Sequence, residues 1–194
     1  IMQFPIMQFP IETVDARFVY NRVVNNFSDG NSVKDFRVPI VADEIPCVVI
    51  RERPRGVRFS SYDSKACLVE TVDVFSRDEI KSILRFCKEL CLQFGELDIL
   101  RDSDSGDIYI VDANRCTAGP PPAMPIAEAT EFISRLCRSF ATHFLGISVT
   151  AVAKDAIFES IVEMRRTLDA AFVEERLSPL PEAVSYTHLR AHET

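Results

Sequence analysis

An α+β fold, with an antiparallel sheet packed against helices, is what this chain of 194 residues predicts. Three observations carry that expectation. Strand-like segments come in pairs joined by short turns, as antiparallel hairpins do. Amphipathic helical segments follow those pairs and do not follow every strand, so the βαβ alternation of a parallel sheet is missing. A hydrophobic content of 47% is enough for one or two compact domains with a core of their own.

The elements follow in order. Residues 17–27, "RFVYNRVVNNF", alternate apolar and polar and are rich in Val, Phe and Tyr, which reads as a strand. "SDGNS" at 28–32 is turn chemistry. "KDFRVPIVADEIPCVVIRERP", 34–54, gives two strands around a turn at Ala42–Glu44. Pro39 and Pro46 lack an N–H and are expected at edges or bulges. "RGVRFSSYDSKA", 55–66, reads as a polar, partly basic loop. Ser76 then opens a helix as its N-cap, with Glu79 three residues on completing a capping box. Ile80, Ile83, Leu84, Cys87, Leu90 and Cys91 form its apolar stripe, and Phe94-Gly95 is expected to close it. Two short strands, 97–100 and 108–112, are joined by the tight-turn string "DSDSGD". After the rigid "TAGPPPAMP" comes a helix over about 127–145, with Phe132, Ile133, Leu136, Cys137, Phe140 and Phe144 on its inner face. A third helix, 151–177, carries Ile157, Ile161, Met164, Leu168 and Phe172 at helical spacing and reads as packing or an oligomer contact.

Composition excludes several classes of function. A net charge of −7 leaves no basic footprint for nucleic acid, and no apolar run is long enough to span a bilayer. With no charged-then-apolar leader, the expectation is a soluble cytoplasmic protein. The six cysteines include no CxxC pair and fall mostly at apolar positions, so core roles in a reducing compartment are expected rather than disulfides or zinc. The opening "IMQFPIMQFP" is a five-residue duplication, and residues 1–16 are expected to be a non-native or disordered leader. The closing "SYTHLRAHET" resembles a translated sequencing-adapter scar, so 184–194 is set apart as an artefact. That leaves 17–150 as the domain proper and 151–183 as an amphipathic helix and tail. It also removes His188 and His192, leaving only His143 for histidine chemistry. No GxGxxG and no GxxxxGK[ST] occurs, so neither a Rossmann nor a P-loop site is written in the chain.

The stretch with chemical content is "GELDILRDSDSGDIYIVDANRC", 95–116. Asp112 and Asn114 stand two apart and share a face of their strand. If the two runs pair as a hairpin, Asp98 comes close to directly across from Asp112. Two carboxylates and an amide oxygen then converge, a partial shell for magnesium that leaves room for phosphate oxygens. The alternative is that these are polar residues on a solvated sheet face.

"ELDILRDSDSGDIYIVDANRCTAGPP" resembles the C-terminal metal-binding hairpin of the ATP-grasp superfamily, an acid in one strand followed by an acid-x-Asn and a Pro/Gly loop. Upstream, "DFRVPIVADEIPCVVIRERP" resembles that superfamily's D-x-R-x-x-V-x-G hairpin, which closes on a basic residue. The similarity covers 17 to about 145. It implies the C-terminal subdomain of an ATP-grasp fold, truncated upstream, because the lid lysines have no counterpart before Lys34. By the same resemblance Asp98, Asp112 and Asn114 are the magnesium ligands. Arg51 is the cation on the nucleotide phosphates, and Arg37 is a second cation facing the transferred phosphoryl group or the acyl substrate. Arg53, Arg55 and Arg58 would add to a basic rim, or be solvated loop charges. The implied cofactors are Mg2+ and ATP, and the implied partner is a small carboxylate, with an oligomer open. The implied reaction is ATP-dependent carboxylate–amine ligation through an acylphosphate. The alternatives are a non-catalytic nucleotide- or metal-binding module and an inactive fragment.

Overall fold

Helices pack on opposite faces of one antiparallel sheet, and the fold is α+β, as the paired strands predict. The computed structural model describes residues 23–28, 31–57, 63–149 and 154–177. Its strands are β1 (Phe27–Ser28), β2 (Ser32–Val41), β3 (Val48–Pro54), β4 (Lys65–Val69), β5 (Phe94–Arg101) and β6 (Ile108–Asn114). Its helices are α1 (Thr71–Val74), α2 (Arg77–Glu89), α3 (Ile126–Leu145) and α4 (Lys154–Leu177). The chain divides into two units, Arg22–Met164 and a second formed by Ile1–Asn21 with Arg165–Thr194. The sheet, α1 to α3 and the start of α4 belong to the first. The described part of the second is the far end of α4. The leader, the first six residues of the expected strand 17–27, Arg58 and the segment 184–194 lie outside the described residues.

The strand order is β4-β3-β2-β5-β6, with β1 pairing β2 beside the end that β5 leaves open. β2 is therefore the central strand, and its run "FRVPIV" feeds both faces. On one face Phe36, Val38 and Ile40 meet Ile83 and Cys87 of α2, together with Leu97 and Ile99 of β5. On the other, Val41, Cys47, Val49 and Ala66 meet Ala129, Phe132 and Leu136 of α3 and Ile161 of α4.

Pro39 does not mark an edge, because it lies inside this central strand. The β2–β3 ladder has stopped at Arg37↔Val49 by that point. The Val41 N–H bonds to Glu44 on the hairpin side, and with a period of two position 39 points the same way, where no partner is lost. The turn falls at Ala42–Glu44 as expected, with Ala42 at φ 54°.

Ser76 caps α2 with the full reciprocal box: Glu79 N donates to Ser76 Oγ, and Ser76 N donates to Glu79 Oε2. Arg101 at the end of β5 locks that corner, donating to Glu79 and to the Val74 and Gly106 carbonyls. The helix stops at Glu89, five residues short of the expected Phe94-Gly95, where Cys91 takes a left-handed φ of 54°. Leu90 and Cys91 are accordingly exposed. So are Cys116 and Cys137, which leaves Cys47 and Cys87 as the buried thiols of the six free cysteines. Phe140 and Phe144 are likewise part-exposed: Phe140 meets Phe94 edge-on, and Phe144 packs against Phe140 at the end of α3 instead of entering the core. The expected loop 55–66 gives way at Lys65 to β4, an edge strand whose Leu68 N–H is taken by Glu128 of α3. Among the described residues no helix is long and apolar enough to cross a membrane.

Candidate metal and phosphate site

α3 covers one half of its face of the sheet; the other half carries charge. The register sets the pattern. Asp35 of β2 stands opposite Arg51 of β3, Arg37 of β2 opposite Asp98 of β5, and Asp98 in turn opposite Asp112 of β6. Glu96 stands opposite Asn114. Carboxylate faces guanidinium between β3 and β2 and between β2 and β5, which cross-strand pairing stabilises, but between β5 and β6 carboxylate faces carboxylate, which it does not.

A β-bulge makes the β6 contribution possible. Ile99 pairs Ile110 while Asp98 pairs Asp112, so Val111 is the extra residue and points out to solvent. Strict alternation would put Asp112 on the same side as Ile108 and Ile110, which pack under α2. The extra residue reverses the parity: Ala113 joins that apolar side, and Asp112 and Asn114 turn to the charged face. Gly95 lets β5 and β6 close here, since a Cβ at that position would lie 2.0 Å from the Asn114 carbonyl oxygen.

Asp112 is held on both oxygens. Oδ1 accepts from the Ala113 N–H at 3.0 Å, and Oδ2 accepts from Asn114 Nδ2 at 3.0 Å. Arg51 is buried, 6% exposed, with Nη2 2.5 Å from Asp35 Oδ2 and 3.0 Å from Asp98 Oδ1. Burial works against its charge, but Asp35 and Asp98 outweigh it and raise the proton affinity above the ordinary arginine value. Arg37 Nε lies 2.9 Å from Glu96 Oε1 and 3.8 Å from Asp98 Oδ1. Arg53 is not in a loop: it lies in β3, buried, between Asp35 and Asp63. Desolvation raises the Asp63 carboxyl above its ordinary range, and Arg51 and Arg53 draw it partly back. Arg55 lies over the Phe27 ring at 4.1 Å.

The structure therefore gathers Arg37, Arg51, Asp98, Asp112 and Asn114 on one face. Sequence reasoning passed over Glu96, Asp35 and Asp63. Glu96 is 2% exposed, and desolvation pushes its carboxyl up to about 7, against the pull of Arg37. The signal for it was available: it precedes Asp98 by two and so shares that residue's face.

Among the described residues no three of His, Cys, Asp and Glu gather closely enough to hold a metal by themselves. A cation here would rest on two carboxylates and the Asn114 amide, completed by ligand or water oxygens, which is how magnesium is commonly held. Three buried carboxylate oxygens of the cluster fit that demand: Asp35 Oδ1, Glu96 Oε2 and Asp98 Oδ1 lack an aligned hydrogen bond. Arg37 Nε and Arg51 Nε lack one too, and as donors they suit an anion. Asp35, Asp63, Glu96 and Asp98 already outnumber Arg37, Arg51 and Arg53, and Asp112 adds to the excess of negative charge. A hard cation suits such a face.

No family model and no curated protein matches the chain. Among solved structures it is similar to the ATP-grasp ligase PsnB complexed with a phosphomimetic variant of minimal precursor, Mg and ADP, at 18% identity and a TM-score of 0.32. That similarity covers 42% of this chain and 23% of the other. The same ligase complexed with minimal precursor gives 12% identity and a TM-score of 0.34, over 67% of this chain and 34% of the other. The chain thus spans about a quarter to a third of the length of those structures, and likeness of this size carries no conclusion about function.

Proposed function

We propose that this chain is the Mg-ATP-binding part of an ATP-dependent carboxylate–amine ligase of the ATP-grasp kind. One observation carries the reading: Asp98 and Asp112 face each other across β5 and β6, with Asn114 on the same face and two guanidiniums beside Asp98. It is supported by the two sequence stretches that resemble the superfamily's paired hairpins. The domain proper runs over 17–150, followed by the helix and tail of 151–183, in a cytoplasmic protein.

In this reading Asp98, Asp112 and Asn114 hold the cation, with Asp112 fixed in rotamer by its two internal hydrogen bonds. Magnesium, when bound, neutralises phosphate oxygens. Arg37 and Arg51 line the same face and offer planar donors to phosphate or carboxylate oxygens. The substrate carboxylate attacks the γ-phosphorus of ATP and ADP leaves, giving an acylphosphate; an amine then attacks the acyl carbon, phosphate leaves, and an amide forms with loss of a proton. These residues position and neutralise, so no cysteine or histidine nucleophile is required.

The clasp on Arg51 favours a second reading, binding without turnover. Its guanidinium is already engaged by Asp35 and Asp98, and a phosphate would have to displace one of them. Calorimetric titration with ATP, with and without magnesium, tests the common part of both readings. Magnesium-dependent binding is expected; none would end both. Phosphate release in the presence of a panel of carboxylates and amines separates them, because the binding module releases none.

A further inference from the structure

We propose that Glu96 is a positioning residue that holds the Arg37 guanidinium off Asp98, so that a divalent cation at that carboxylate meets one guanidinium, that of Arg51, and not two. The inference rests on the proposed metal site and concerns a residue outside it.

The register makes Asp98, not Glu96, the direct cross-strand partner of Arg37. An arginine facing an aspartate across two antiparallel strands would be expected to close on it. It does not. Arg37 Nε lies 2.9 Å from Glu96 Oε1 and 3.8 Å from Asp98 Oδ1. Arg51 Nη2 already lies 3.0 Å from that oxygen of Asp98, and desolvation draws Arg37 to Glu96 instead. The Glu96 side chain is 2% exposed and that of Asp98 24%, so Glu96 gains more from a counter-charge than a carboxylate that water can reach. Glu96 has no competing cation across its own strand pairs, because Pro39 stands opposite on β2 and Asn114 on β6. The guanidinium is therefore drawn one residue aside from its register partner. Without the Glu96 charge it would join Arg51 on Asp98 and put a second positive charge on the ground a cation needs.

The test uses Mn2+ alone as probe, with free Mn2+ counted by electron paramagnetic resonance against the whole chain. Glu96→Gln is expected to weaken Mn2+ binding about tenfold, the lower end of what losing an outer-shell partner brings. Adding Arg37→Met to Glu96→Gln should restore most of that affinity, because the competing guanidinium is gone. A purely structural role for Glu96 predicts no such rescue, and its absence would overturn the inference. Should Glu96→Gln not fold, Arg37→Met alone decides. With nothing left to hold aside, Mn2+ affinity should stay or rise, and a tenfold fall contradicts the proposal. No Mn2+ binding by the unaltered chain would sink the metal site and this inference together. Binding by the unaltered chain that Glu96→Gln leaves unchanged would sink this inference alone.

Discussion

Asp112 owes its pose to short-range bonds that do not involve packing: its neighbour's N–H and the amide two residues on hold the carboxylate. Its replacement by asparagine should therefore leave the fold intact while removing the charge a cation needs. We expect Asp112→Asn to weaken Mg-ATP binding by more than about tenfold, since the loss of even an outer-shell partner reaches that size. Circular dichroism should not change. Unfolding with no selective loss of metal affinity would show that the acid is structural. At this scale the sequence was informative where chemistry shows in residue type. Asp98, Asp112 and Asn114 stand out because acids and amides are rare inside strand-like runs. It was uninformative where burial decides. Nothing in "RERP" says that Arg51 and Arg53 are enclosed by Asp35, Asp63 and Asp98, since those contacts come from residues that the chain brings from other strands.

The β5–β6 hairpin and α2 each carry a prediction. A methyl group at position 95 would meet the Asn114 carbonyl at 2.0 Å, so the end of β6 must move away. Gly95→Ala is expected to cost about 1–3 kcal/mol, as overpacking does. It should also weaken Mg-ATP binding through the shift of Asn114, as urea unfolding and calorimetry on the same variant would show. In α2, the hydrogen bond from Arg101 holds the Glu79 carboxyl below its ordinary value of 4.5, with the capping contact to Ser76 adding to it. A carboxyl lowered on folding contributes stability that is present above 4.5 and lost as pH falls through the lowered value. Glu79→Gln should therefore unfold more easily than the parent at pH 7, and the difference should shrink below pH 4.5. A difference independent of pH would contradict the ion pair. Both elements were legible in outline, the capping box completely, because it is a local code. The bulge at Val111 was not. Alternation alone cannot reveal that "IYIVDAN" changes parity partway, since the change is driven by Ile110 and Ala113 both seeking the core under α2.

At the largest scale, within the Arg22–Met164 unit, three layers account for the site's place: α2 seals one face of the sheet, and α3 seals half of the other and leaves the charged half bare of its packing. Phe132 is fully buried at the centre of the α3 layer. Phe132→Ala should lower the stability of this unit by about 3–5 kcal/mol, read from thermal or urea unfolding. The α+β class, the two hairpins and the three long helices were readable from periodicity. β4 was missed because "KACLV" is short, lies at an edge and follows a long polar stretch. The central position of β2 was obscured by Pro39, whose lost N–H falls where the β2–β3 ladder has already opened. Pairing order is a tertiary property, and no local pattern contains it.

The most direct test of the account is a calorimetric titration of the whole chain with ATP, run with magnesium and again with EDTA. Binding that needs magnesium and is lost in Asp112→Asn is what the paired carboxylates predict. No heat in either condition, or equal heat in both, would contradict them.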